Sequence, residues 1–184
     1  MKTKKHEDLV KSYLNTLDVE TAPLYKEIIL YLSELGYNPV KLKSCITFKH
    51  KLHTKQIVKM GNVFFSLRFS ACRVYSQRFA DIVSNAINKV AASNPANNPY
   101  QVARCITGDC NACKGKADTH VYVHTSPNGE TKYACGCYAM RIPDITTSDI
   151  PEIKKLINEE HEYLLKHEAA MSRKRESAIQ NLKY

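Results

Sequence analysis

No long apolar run interrupts this chain. The longest, Ile28-Ile29-Leu30-Tyr31-Leu32, falls far short of the roughly 20 residues a bilayer-spanning helix needs, so no membrane span is expected. The opening Met-Lys-Thr-Lys-Lys-His-Glu-Asp has basic residues with no apolar stretch behind them, unlike a secretory segment, and the expected location is cytoplasmic. A Walker loop, Gly-x-Gly-x-x-Gly, Gly-x-Ser-x-Gly and His-Glu-x-x-His are all missing, which excludes the phosphate-cradle, dinucleotide, nucleophile-elbow and zincin signatures. Internal repeats and low-complexity tracts are missing too. An enzyme is therefore not the expected class.

What is present is enough for a packed core: 184 residues, 43% hydrophobic, a soluble globular composition. Leu9, Val10, Tyr13, Leu14 and Leu17 recur at helical spacing. Thr21-Ala-Pro23 offers a cap and an early proline for a second helix through Ile28, Ile29, Leu32 and Leu35, with Gly36 as its stop. From Pro39 the period changes to two: Val40, Leu42, Ile46 and Phe48 alternate with Lys41, Lys43, Thr47 and Lys49, and Val63, Phe65, Leu67 and Phe69 with Phe64, Ser66, Arg68 and Ser70. These read as half-buried antiparallel strands, with Gly61-Asn62 as a turn after a short strand at Gln56 to Lys59. Ser76 caps a helix whose stripe is Phe79, Ile82, Val83, Ala86, Ile87 and Val90. The expected fold is α+β.

Three regions follow: a helical and antiparallel-sheet core over 1–93, a cysteine module over 100–146, and a C-terminal helix over 149–184. The polar, proline-punctuated stretch from Ala91 to Pro99 is the expected boundary. The last helix is expected to open with a capping box of Asp149 and Glu152 and to bury Ile153, Leu156, Ile157, Leu164 and Met171. Its tail, from about Ser172 to Tyr184, mixes charge too evenly to require burial.

Five of the seven cysteines fall within 33 residues: Cys105, Cys110, Cys113, Cys135 and Cys137. Between the pairs, Thr119 to Thr125 alternates as a strand, Ser126-Pro127-Asn128-Gly129 is a turn, and Thr131 to Ala134 returns the chain to Cys135. Such a hairpin carries both cysteine pairs to its open end, where four thiolates close a tetrahedron around zinc. Disulfides are disfavoured by the odd count and the expected reducing compartment. Cys45 and Cys72 each stand alone and read as small buried hydrophobes.

Over residues 105 to 141 the chain resembles a zinc-ribbon module, with Cys110-Asn-Ala-Cys113 matching the first knuckle and the hairpin matching the ribbon. The second knuckle of ribbons is Cys-x-x-Cys, whereas here it is Cys135-Gly-Cys137. Expected ligands are Cys110, Cys113 and Cys135, with the fourth from Cys137, Cys105, or His120 or His124. A catalytic deaminase zinc is disfavoured because no ligand-x-Glu precedes the pair and no proline adjoins Cys110.

Charge is concentrated. Residues 41 to 89 carry ten Lys and Arg against the single acid Asp81, a net +9 that equals the charge of the whole chain. Period two places Lys41, Lys43 and Lys49 on one strand face, which with Lys51 and Arg68 forms an expected anion-binding patch bordered by His50 and His53. Nucleic acid is the leading partner, because lysines supply the sequence-independent phosphate attraction and Phe64, Tyr75 and Tyr100 are available for stacking. The alternatives are a solvated face that guards against edge pairing, a small anionic ligand or acidic protein, and a zinc-dependent or His50/His53-based hydrolase.

Overall fold

The structure is a computed structural model that describes residues 3–53, 56–68, 74–93, 121–125, 131–135 and 140–181. Two helices, α1 (Lys4–Leu14) and α2 (Thr21–Glu34), precede a meander of β1 (Tyr37–Lys41), β2 (Cys45–His50), β3 (Gln56–Gly61) and β4 (Phe64–Leu67). Then come α3 (Gln77–Ser93), the hairpin β5 (Val121–Thr125) and β6 (Thr131–Cys135), a short strand β7 (Met140–Ile142), a 3-10 turn at Thr147–Asp149 and α4 (Ile150–Asn181). This is the expected α+β fold. Among the described residues no helix is long and apolar enough to cross a membrane.

The main sheet runs β1-β2-β3-β4-β7, antiparallel throughout. Its register lines Ile46, Met60, Phe65 and Ile142 along one row, all buried on the face that packs against the helices. There they meet Tyr25, Ile28, Ile29 and Leu32 from α2 and Ile153, Leu156, Ile157 and Leu164 from α4 in a single core. Pro39 sits inside β1, which is an edge strand, where a missing N–H breaks no ladder. Segment 149–184 therefore contributes to the main core, and β7, from the segment expected to belong to the cysteine module, is the fifth strand of the main sheet. The β5–β6 hairpin forms its own two-stranded sheet and contacts α3.

Several local devices differ from their expected positions. The cap of α2 is the Asp18 carboxylate, which accepts from the amides of Glu20 (3.0 Å) and Thr21 (2.6 Å), not Thr21 itself. The turn between β3 and β4 is Asn62-Val63, one residue later than expected, and Val63 is 94% exposed. Gly61 closes it because any Cβ there would collide with the Phe64 ring. The capping box precedes α4 by one turn: Thr146 and Asp149 exchange hydrogen bonds, leaving Glu152 to accept from the Ser76 amide at 2.7 Å. Helix α3 extends through Ala91 to Ser93, the start of the expected connector, and α4 continues to Asn181 through most of the expected polar tail. Gly36 stops α2 as expected, with φ +89°.

Candidate functional site

The five main strands contain Lys41, Lys49, Lys59 and Arg141 and neither Asp nor Glu. Register decides where those cations stand. Val40 pairs with Thr47, Thr47 with Lys59, Lys59 with Ser66 and Ser66 with Arg141, so one row crosses all five strands on the face turned away from α2 and α4. Paired residues share a face, and the exposed side chains of this row are Lys59 and Arg141, two strands or about 10 Å apart. Lys49, paired with Asn38 two residues along β1, joins them. Arg141 lies with its guanidinium carbon 5.1 Å from the centre of the half-buried Phe64 ring, a cation–π arrangement at the surface.

Only one of the three lysines expected to share a strand face is on this one. Lys41 pairs with Ile46, on the core-facing side, and reaches solvent only because β1 ends there; Lys43 lies in the turn between β1 and β2. The period-two reading treated 40 to 49 as one strand. A turn at 42–44 makes it two, and pairing such as Lys41 with Ile46 and Asn38 with Lys49 puts odd positions of β1 beside even positions of β2 and even beside odd. Lys51 is exposed just after β2.

Arg68 departs furthest from the expected patch. Its Nε donates to Glu160 Oε1 at 2.9 Å, and both side chains are buried between the end of β4 and α4. Arg78, outside the expected patch, ties α3 to the α4 entry by donating to Asp149 Oδ1 (2.7 Å) and to the carbonyls of Pro143 and Asp144.

Beside Glu160 lies a cluster that sequence reasoning missed. The Tyr37 hydroxyl is 3.0 Å from His53 Nε2 and 3.2 Å from His161 Nδ1, and all three residues are buried. With one proton, the phenol donates to one ring nitrogen and accepts from the N–H of the other. His50 stacks on His53, rings 5.0 Å apart and 24° from parallel, and meets His161 edge-on at 5.3 Å. Burial, with Glu160's charge adding to it, holds the Tyr37 hydroxyl protonated far above the usual phenol range, and burial lowers the His161 pKa against the opposing pull of Glu162. His50 and His53 were expected at the rim of a surface patch; His53 is instead 2% exposed. The missed signal was in α4: Glu160 and His161 occupy the same helical stripe as Ile153, Leu156, Ile157 and Leu164, and polar groups on a buried stripe need partners.

Cys105, Cys110, Cys113, Cys137 and His120 lie outside the described residues, as do Cys72 and Tyr100. Cys135 ends β6 opposite Val121, and His124 is in β5 opposite Lys132. Cys45 is half-buried at the start of β2 as a free thiol. Among the described residues no group of three or more His, Cys, Asp and Glu side chains is arranged to hold a metal. No family model, curated protein or solved structure matches the chain.

Proposed function

We propose that the protein binds single-stranded nucleic acid on the outer face of its five-stranded sheet and carries a zinc-stabilised module beside it. The observation that carries this reading is the row Val40-Thr47-Lys59-Ser66-Arg141, in which register alone sets the exposed side chains of Lys59 and Arg141 on one face of strands that lack any acid, with Thr47 and Ser66 buried in the same row. Cations at strand spacing meet a phosphate backbone without reading its sequence, and Phe64 with Arg141 beside it offers a flat group on which a base can stack. Zinc in the 105–141 module would be held by Cys110, Cys113, Cys135 and one of Cys137 or Cys105. Its role is structural, since thiolate zinc supplies folding energy to a small hairpin. Tyr37 and His53 are buried with His161 of α4, which suits a structural cluster better than a hydrolase centre. The test is binding to RNA and DNA oligonucleotides across a salt series: affinity falling steeply with salt and indifferent to sequence supports the reading, and no binding at low salt overturns it.

A further inference from the structure

At the end of the sheet where β1 turns into β2, on the side covered by α1, lies a cavity of about 220 Å³. We infer that it takes the terminal phosphate monoester of the nucleic-acid strand proposed above, an inference that rests on that reading and deepens it. Ser12 and Thr16 come from α1 and the residues after it, Lys41, Lys43 and Ser44 from β1 and the turn that follows, and Asn62 from the β3–β4 turn. Among its described lining residues the only charges are the two lysines, so the local field is positive without a compensating carboxylate. The end of α1 opposes this with about half a negative charge, less than two full ammonium charges. Hydroxyls and an amide beside the lysines provide the additional hydrogen bonds a phosphate oxygen set requires.

Position argues for the end of a strand. Cys45, which also lines the cavity, pairs with Gly61, and Gly61 with Phe64, forming the next row of the outer face after the one holding Lys59 and Arg141. That row is two residues, or about 7 Å, further along the strands. A backbone lying across the basic row and turning over the strand ends at Cys45 thus reaches the cavity. Its volume is below the roughly 300–1,000 Å³ of clefts that bury drug-sized molecules, which suits a phosphoryl group better than a nucleobase with its sugar. A monoester carries about −1.5 to −2 charge at neutral pH, against −1 for an internal phosphodiester, so two lysines favour the end over the middle.

The experiment compares one oligonucleotide in 5′-phosphorylated, 3′-phosphorylated and dephosphorylated forms, with inorganic phosphate as a separate probe. Kd is measured on the full chain and on the double variant Lys41→Gln/Lys43→Gln, and the alkylation rate of Cys45 is followed by peptide mass spectrometry. A phosphorylated end should tighten binding about tenfold, the worth of a charge-assisted contact, and slow Cys45 alkylation, with both effects lost in the double variant. Equal affinity for phosphorylated and dephosphorylated strands overturns the cavity assignment while leaving the outer-face reading intact. Protection of Cys45 by inorganic phosphate without any end preference also overturns it, assigning the cavity to a free anion. Failure of every oligonucleotide to bind overturns both.

Discussion

Arg68 Nε donates to Glu160 Oε1 across 2.9 Å, with the two side chains 9% and 0% exposed. The contact ties the end of β4 to the middle of α4 across 92 positions of chain. Its position between sheet and helix makes it a structural cation, unlike the exposed Lys59 and Arg141 on the opposite face.

Removing either partner takes from a buried charge the opposite charge 2.9 Å away. Glu160→Ala or Arg68→Ala should each cost about 3–5 kcal/mol in denaturant unfolding, whereas replacing both with apolar residues of similar volume should recover most of the loss. Single variants as stable as the wild type would show that the pair is solvated in solution.

The helical stripes and the inward positions Ile46, Phe48, Phe65 and Leu67 were legible because burial imposes a period that a sequence displays directly. The Ser76 cap and the Gly36 stop were legible for a similar reason, since few residue types suit those places. Face assignment of the lysines was not, because it depends on where β1 ends, and a three-residue turn at 42–44 reverses the parity of everything after it. The basic face was therefore visible as a charge total, but its members, Lys59 and Arg141, came only from pairing between strands distant in sequence. Tyr37 and His161 meet across 124 positions, and no local pattern encodes such a contact. The cysteine ligand set remains a reading of spacing, with Cys135 at the end of β6.

Acid should weaken the fold through the Tyr37 cluster. Burial lowers the His161 pKa below its unfolded value near 6.5, so between the folded and unfolded pKa values the unfolded chain binds more protons. Stability is then fully present above about pH 6.5 and is lost as pH falls from there toward the folded pKa. Denaturant midpoints measured from pH 8 to pH 5 should show this fall, and His161→Asn, which keeps an acceptor near Tyr37, should flatten it. A wild-type midpoint constant over that range contradicts the assignment.

Metal removal should distinguish the stability of the hairpin from that of the sheet. The protein purified without chelator should contain one zinc per chain, and stripping it should abolish hydrogen-exchange protection in β5 and β6 while β1 to β4 retain theirs. Strand β7 should stay protected as well, because it pairs with β4 despite following the cysteines. Cys137→Ser should weaken zinc retention more than Cys105→Ser if Cys137 is the fourth ligand; the reverse order assigns Cys105. Metal content near zero, or unfolding of the whole chain on chelation, contradicts a separate zinc module.

Phosphate binding by the outer face is tested most directly by the salt dependence of Kd for a single-stranded oligonucleotide. Each phosphate contact contributes about −0.7 to the slope of log affinity against log salt, so the triple variant Lys49→Gln/Lys59→Gln/Arg141→Gln should have a slope shallower by about 2 and weaker binding at low salt. The loss should be similar for all sequences. A control at Lys154, which pairs with Glu27 on the helical side at 2.7 Å, should leave the slope unchanged when replaced by Gln. An unchanged slope in the triple variant, or a wild-type protein that binds no oligonucleotide at low salt, would contradict nucleic-acid binding on this face.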